Sequence, residues 1–248
     1  NGNLTNAFLI KSELESKGSL FQSNMDTEVI VHLIARSKEK NSIERIVHAL
    51  KQVEGAYSLL ILTEKEMVAA RDPFGFRPLV LGQLKEAPVV ASETCAFDLI
   101  GAKFVREIEP GEILLINEEG IKSFKPFPQK QHHQCIFEFI YFARPDSFLF
   151  KRSVYEVRKS FGVQLAREAP VDVDMIVPIP DSGFPATLGY VAESKIPLEL
   201  GMIRNHYIGR TFIEPEQRIR HFGVKIKLNP VRELLKGKKI VTVDDSIV

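Results

Sequence analysis

The chain has 248 residues, 44% apolar and 26% charged, which is ordinary for a globular protein of one or two domains. Its 33 Lys and Arg nearly balance 32 Asp and Glu, so the net charge of +1 gives no electrostatic reason to expect nucleic acid or a membrane surface as a partner. No apolar run approaches the roughly 20 residues of a membrane helix, and two cysteines are too few for a disulfide framework, which predicts a cytoplasmic protein.

The first half of the chain predicts helices followed by strands. Helices are expected at 6–17, from a cap at Asp26 to about Arg36, and after a cap at Ser42. Short apolar runs separated by turns then predict strands at 57–62, 67–71, 79–81, 89–92 and 112–117. Helices followed by hairpin-like strands favour α+β layers over a doubly wound sheet.

In the second half, apolar strands alternate with helices. Strands are predicted at 175–179 and 240–243, and a helix begins near Pro185 between them. This alternation indicates a parallel sheet, in which ligands bind at the carboxyl ends of the strands. A further helix is predicted at 153–168, with an apolar face formed by Val154, Val157, Phe161 and Leu165.

Two of these strand ends carry polar side chains, at Asp181-Ser182 and at Asp244-Asp245. Adjacent carboxylates repel each other and are costly to remove from water, so a divalent cation or the hydroxyl groups of a sugar would stabilise them. The alternative is an aspartate helix cap beside a surface aspartate, which charge alone would favour. The apolar strand directly before the pair favours a ligand site.

A set of short motifs extends along nearly the whole chain. They are Asn1-Gly2-Asn3-Leu4, Asp26-Thr27-Glu28, Arg71-Asp72-Pro73, Arg77-Pro78-Leu79, Ser92 to Ala96, Ile136 to Glu138, Tyr141 to Ser147, Pro180 to Gly183, Asn205, Tyr207, Gly209 to Ile213 and Val243 to Val248. The last of them resembles the start of the phosphoribosyl-pyrophosphate (PRPP) signature of type I phosphoribosyltransferases. In this order and spacing, the set resembles the glutamine phosphoribosylpyrophosphate amidotransferase family.

The resemblance implies two domains, joined by a polar linker at 126–134. Residues 1–125 would form part of an α+β N-terminal-nucleophile glutaminase, an αββα sandwich, and residues 135–248 part of an α/β type I phosphoribosyltransferase with a parallel sheet. The implied enzyme converts PRPP, glutamine and water to 5-phosphoribosylamine, glutamate and pyrophosphate, the first step of de novo purine synthesis. A homo-oligomer is expected.

In the glutaminase domain, the resemblance assigns Asn1 and Gly2 to the oxyanion hole, where a side-chain amide and a glycine N–H would converge on one developing charge. A plain Asn-Gly turn is the alternative for these two residues. Asp26 would bind the α-ammonium group of glutamine, besides or instead of capping a helix. Arg71, Asp72 and Arg77 are interpreted as scaffold, with an Arg–Asp pair that fixes a tight Pro-Gly turn. We expect a fragment that lacks both termini and is inactive alone, because the nucleophilic cysteine should precede the first residue.

In the transferase domain, the resemblance implies that Asp181, Ser182 and Gly183 form the loop that meets pyrophosphate and metal. Asp244 and Asp245 would accept hydrogen bonds from the ribose hydroxyls, and Ser182 with the two aspartates would line a Mg²⁺ site. A serine-capped helix N-terminus is the alternative for the loop.

A long segment, 204–222, is implied to be a lid over PRPP, with Tyr207 and Arg210 as participants. Purine nucleotides inhibit some relatives. Residues 220–223 depart from the basic-plus-serine pattern of those relatives, which leaves feedback inhibition open.

Cys135 occupies the place of a [4Fe–4S] ligand in cluster-bearing relatives, and the other three thiolates would follow Val248. An inert thiol is the alternative. Two other functions remain open for the chain: a different glutamine amidotransferase of the same nucleophile class, and a non-catalytic module that senses PRPP or nucleotides. The Asp244-Asp245 pair argues against the first of these.

Overall fold

The computed structural model describes residues 2–206 and 227–246, which divide into two compact units. The first unit contains the described residues up to Cys135, together with Phe148–Phe150. The second contains Ile136–Ser147 and the described residues from Lys151 onward. None of the helices in the described ranges is long and apolar enough to cross a membrane.

The described part of the first unit has four helices and nine strands. The helices are α1 (Ala7–Ser16), α2 (Glu28–Arg36), α3 (Ser42–Leu50) and α4 (Cys95–Ile100). The strands are β1 (Gly2–Leu4), β2 (Gly55–Leu62), β3 (Met67–Arg71), β4 (Val80–Leu84), β5 (Ala87–Ala91), β6 (Lys103–Glu107), β7 (Ile113–Asn117), β8 (Gly120–Phe124) and β9 (Phe148–Leu149). Strands β1-β2-β3-β7-β8 form one antiparallel sheet in that order, and β5-β4-β6 form another.

Alternation along the strands creates the layers of this unit. Val68 and Ala70 of β3 face a core shared with α1, α2 and α3, whereas Ala69 between them packs with Leu79 and Leu81 beside the second sheet. Gly82 faces the opposite side from Leu81, and the Phe97 ring of α4 fills the space where a side chain would stand. The order helices, sheet, sheet, helix confirms the predicted αββα sandwich.

One helix cap differs from its prediction. Ser42 is the first residue of α3, but the cap is Asn41, whose side chain accepts a hydrogen bond from the Glu44 N–H at 2.9 Å. The predicted Ser42 cap is therefore wrong by one residue, because asparagine and serine both suit this position and only the backbone geometry distinguishes them.

The second unit contains one parallel and one antiparallel pair of strands. Its described strands are β10 (Arg152–Ser153), β11 (Met175–Pro178), β12 (Met202–Arg204), β13 (Leu228–Pro230) and β14 (Ile240–Val243), and its helices are α5 (Val154–Glu168), α6 (Phe184–Ser194), α7 (Arg232–Leu235) and a π-helical turn at Glu138–Phe142. Strands β11 and β14 pair in parallel, β12 and β13 pair antiparallel, and Leu198 adds a parallel bridge to Ile176. This confirms the predicted parallel pairing of β11 with β14.

Helices α5 and α6 approach each other through glycines. A side chain at Gly162 would lie 1.8 Å from the Ala186 carbonyl oxygen, and one at Gly189 would lie 1.9 Å from that of Lys159. The buried face of α5 is accordingly Val154, Arg158, Gly162 and Ala166. The predicted apolar face is wrong apart from Val154, since close backbone packing uses small residues and leaves Phe161 39% and Leu165 42% exposed.

Candidate functional site

The carboxyl ends of β11 and β14 coincide. Pro178 pairs with Val243 in the parallel register, and the Ile179 N–H donates to the Val243 carbonyl oxygen at 2.9 Å. Gly183 is buried against this point, because a side chain there would lie 2.3 Å from the same oxygen. Because Gly183 has no side chain, the loop after β11 can pack against the residues that follow β14. The two polar strand ends therefore meet at one edge of the sheet, as predicted.

Three side chains of the predicted metal and ribose site meet at this edge. The Ser182 hydroxyl donates to Asp244 Oδ1 at 3.3 Å, and the Asp245 N–H donates to the same oxygen at 2.8 Å. Asp245 Oδ2 is buried and has no hydrogen-bond partner among the described residues. Removal from water raises the pKa of Asp244 to about 6, and the Asp245 carboxyl group adds to that shift. The pair is therefore short of donors.

A cavity of about 470 Å³ opens beside this acidic pair within the second unit. Its wall is mainly apolar, and it is lined by Ile136, Ile140, Arg158, Phe161, Gly162, Gln164, Leu165, Glu168, Ser182, Ala186, Asp244 and Asp245. Phe161 and Leu165, which were expected in the core, form part of this wall. The Arg158 guanidinium is buried and donates to the carbonyl oxygens of Phe139 at 2.6 Å and Ala143 at 2.7 Å, which fixes the π-helical turn on α5.

Asp181 is placed apart from the other loop residues. Its exposed carboxylate forms an ion pair with the Arg204 guanidinium at the end of β12. The peptide bond between Pro180 and Asp181 is cis. Arg204 begins the segment predicted as a lid, and no local sequence pattern indicates an ion pair with a residue 23 positions away.

Asp26 contacts the strand that begins at Gly2. The Leu4 N–H of β1 donates to Asp26 Oδ2 at 2.8 Å, and Gly2 begins that strand with a φ of +139°. The cap of α2 is Thr27, which makes no side-chain cap hydrogen bond. The predicted capping role of Asp26 is thus wrong, because its carboxylate turns to β1 instead of the helix.

The predicted scaffold around Arg71 and Asp72 is confirmed. The buried Arg71 guanidinium donates to the carbonyl oxygens of Gly75, Arg77 and Ile108, and the Asp72 carboxylate accepts backbone N–H groups of the same turn. The turn presents the Arg77 side chain, whose Nη1 lies 3.9 Å from Cys135 Sγ. Cys135 is partly buried.

Some predicted positions lie outside the described residues. They are Asn1 of the expected oxyanion hole, Tyr207 and Arg210 of the expected lid, and residues 220–223. The described residues contain no group of three or more His, Cys, Asp or Glu side chains that could hold a metal ion.

Known proteins share this architecture and sequence. Residues 1–98 match the glutamine amidotransferase domain family. Amidophosphoribosyltransferase of Rhizobium etli is 51% identical over the whole chain, which covers 51% of that protein, and chloroplastic amidophosphoribosyltransferase 1 of Arabidopsis thaliana is 53% identical, with 44% of its length covered.

Solved structures extend this likeness to the fold. The glutamine PRPP amidotransferase from Bacillus subtilis, complexed with ADP and GMP, superposes with a TM-score of 0.92 at 49% identity, over 100% of this chain and 55% of that one. The chain spans about half the length of the curated relatives it matches. With such identity along its entire length and the same fold, the chain is similar throughout to the matching half of amidophosphoribosyltransferases.

Proposed function

We propose that the protein containing this chain transfers the amide nitrogen of glutamine to C1 of PRPP. Glutamine is hydrolysed to glutamate, the bond between C1 and pyrophosphate breaks, and a C1–N bond forms to give 5-phosphoribosylamine. The observation that carries the proposal is the donor-poor acidic pair at the shared end of β11 and β14. Identity of about 50% to amidophosphoribosyltransferases supports it.

The acidic pair suits a ribose diol and a hard cation. Asp245 Oδ2 is an acceptor that is buried without a donor, and a sugar hydroxyl would supply one. Ser182 and Asp244 offer two more oxygen atoms 3.3 Å apart, the ligand type that Mg²⁺ prefers. When bound, Mg²⁺ would neutralise charge on the pyrophosphate, while Gly183 lets the loop backbone approach that anion closely.

The first unit supplies the glutamine half of the proposal. Asp26 Oδ2 is occupied by the Leu4 N–H, and its Oδ1 is the acceptor for the α-ammonium group. Asn1 and the Gly2 N–H would stabilise the developing oxyanion, next to a nucleophilic cysteine that precedes them. The Leu4 contact holds Asp26 beside the strand on which Gly2 lies, which supports a shared role in binding glutamine.

Several parts of the proposal concern the whole protein. Tyr207 and Arg210 would close over bound PRPP and exclude water from the reaction. Purine nucleotides are proposed ligands, supported by the Bacillus subtilis relative that is complexed with ADP and GMP. A homo-oligomer in the cytoplasm is proposed as well, although relatives named chloroplastic match equally well.

A [4Fe–4S] cluster with Cys135 as one ligand is proposed for the whole protein, with the other three thiolates outside this sequence. A [4Fe–4S] cluster takes four thiolates, and the sequence contains only Cys95 and Cys135. These residues do not form a cluster site by themselves, so no step of the reaction is assigned to one.

The test uses the full-length protein encoded by the gene from which this chain comes. We expect PRPP-dependent release of glutamate from glutamine and formation of phosphoribosylamine, together with synthesis from ammonia when glutamine is omitted. PRPP binding without turnover of either nitrogen source would contradict the proposal and favour a sensing module.

A further inference from the structure

The loop before α2 carries Asp26 and is organised by one carboxylate. Glu28 Oε1 accepts the Gln22 N–H at 2.7 Å, and Oε2 accepts the Ser23 N–H at 2.9 Å and the Ser23 hydroxyl at 2.5 Å. These hydrogen bonds lower the pKa of Glu28 to about 2, with the Ser23 hydroxyl as the largest cause. The carboxylate therefore stays ionised and bound to the loop at neutral pH.

Helix capping does not account for this arrangement. The first N–H groups of α2, at Glu28, Val29 and Ile30, already reach the carbonyl oxygens of residues 25, 26 and 27. A capping glutamate reaches back about three residues to the cap, whereas Glu28 reaches back five and six. Its side chain therefore organises the loop and not the helix.

Hydrogen bonds through Ser23 connect Glu28 to Met25, the residue before Asp26. The Ser23 hydroxyl that donates to Glu28 also accepts the Met25 N–H at 3.2 Å. Asp26 is thus held on one side by Leu4 of β1 and on the other by a loop that Glu28 fixes. Both contacts determine where the remaining oxygen of Asp26 points.

Two neighbouring elements brace the same loop. The Phe21 ring lies on His32 of α2 at 4.2 Å between ring centroids, and His32 Nε2 is 3.7 Å from Glu28 Oε1. Lys11 of α1 lies over Phe21 at 5.0 Å and donates to the Ser23 carbonyl oxygen at 3.2 Å. A surface loop with these contacts is built to keep one conformation.

We propose that Glu28 is a positioning residue for glutamine recognition, acting through Ser23 and the Met25 N–H on Asp26. The inference rests on the proposed function, since it assigns Asp26 to the substrate ammonium group. Without the Glu28 carboxylate the loop becomes mobile, and glutamine must order it on binding. Loss of the carboxylate should therefore raise the KM for glutamine and leave the reaction at the second unit unchanged.

The experiment compares Glu28→Gln and Ser23→Ala with wild type in the full-length protein. Each variant should raise the KM for glutamine by about fivefold to tenfold, the effect of one lost hydrogen bond of ordinary strength, with kcat within about twofold. Ammonia-supported synthesis should be unchanged. Ser23→Thr keeps the hydroxyl group and should have the same KM for glutamine as wild type. Glu44→Gln, an exposed acidic residue in the first turn of α3, is the matched control and should leave the KM unchanged.

Separate outcomes identify which idea fails. An unchanged glutamine KM in both loop variants, with a wild-type protein that uses glutamine, would overturn the role of Glu28 alone. An equal loss of glutamine-supported and ammonia-supported synthesis would overturn it too, because it would indicate a general folding defect. A wild-type protein that uses neither nitrogen source would instead refute the proposed function.

Discussion

Each unit contains a carboxylate site next to the end of a strand, and the two sites are built in opposite ways. Asp72 follows β3 and is completely buried, yet its oxygens accept the N–H groups of Tyr57 at 3.3 Å, Phe74 at 2.9 Å and Phe76 at 3.3 Å. Asp244 follows β14 with a second carboxylate beside it, and one oxygen of Asp245 has no partner within the described residues.

The difference separates a structural charge from one that awaits a ligand. Burial raises the pKa of Asp72, and hydrogen bonds from the backbone of its own turn act against that shift. At Asp244 the Asp245 carboxyl group adds to the effect of lost water. Removing a carboxylate that accepts several buried backbone N–H groups leaves those groups unpaired, whereas a pair short of donors costs stability until something binds.

Neutralising Asp72 is expected to have the largest effect on stability. Asp72→Asn removes a buried charge and places an NH₂ group against backbone N–H donors, so the free energy of unfolding should fall by about 3 kcal/mol. Urea denaturation measures the loss. Asp98→Asn, at an exposed position of α4, is the control and should stay within about 0.5 kcal/mol of wild type. A small effect at Asp72 would remove the structural half of the comparison.

The stability of the second unit should depend on its helix contact and not on its acidic pair. Gly162→Ala places a methyl group 1.8 Å from the Ala186 carbonyl oxygen, which forces α5 and α6 apart. We expect a loss of about 1–3 kcal/mol in urea denaturation. Ser160→Ala, on the exposed face of the same helix, should change stability little. If Gly162→Ala changed stability as little as Ser160→Ala, the close helix contact would contribute nothing to stability.

Sequence patterns predicted the features that depend on neighbouring residues along the chain. The α+β layers, the parallel strands β11 and β14 and the meeting of their polar ends followed from apolar periodicity and chain order, whereas the αββα sandwich was implied by the family resemblance. Strands β6 and β8 were not predicted, because Lys103–Glu107 and Gly120–Phe124 are largely exposed and mix charged with apolar residues. The buried face of α5 was mistaken because glycine gives no apolar signal, although two glycines set that contact.

Long-range pairs were the other omission. The ion pair of Arg204 with Asp181 and the bond of Asp26 with the Leu4 N–H join residues 23 and 22 positions apart. No periodicity encodes such contacts, so Asp26 was assigned to the nearest helix. The loop contacts of Glu28 span only five and six residues. Their proposed role in positioning Asp26 depends on the hydrogen bond between Asp26 and β1, which the sequence does not indicate.

Neutralising Asp244 should separate binding from folding. Asp244→Asn removes one of two repelling carboxylates, so the melting temperature should stay equal or rise slightly. PRPP affinity should fall by about tenfold, because a charge-assisted hydrogen bond to the ribose is lost. Ammonia-supported synthesis by the full-length protein at varied PRPP measures the effect without the glutaminase half. A lower melting temperature with unchanged PRPP dependence would make the pair structural, like Asp72.

The smallest expected effect concerns pH and the Glu28 loop, where a third carboxylate resembles Asp72 in its donors but lies near the surface. Because hydrogen bonds lower the pKa of Glu28 from 4.5 to about 2, its contribution to stability is complete above about pH 4.5 and is lost as the pH falls through about 2. The titratable group that faces Glu28 is His32, whose Nε2 lies 3.7 Å from Oε1. Urea midpoints of wild type and Glu28→Gln should therefore differ by a constant amount from about pH 8 to pH 5 and converge below about pH 4.5. Glu44→Gln, which lacks these partners, should show no such convergence. A gap that widened on acidification would mean that Glu28 is destabilised by its surroundings, and the loop would then belong with Asp244 in the comparison.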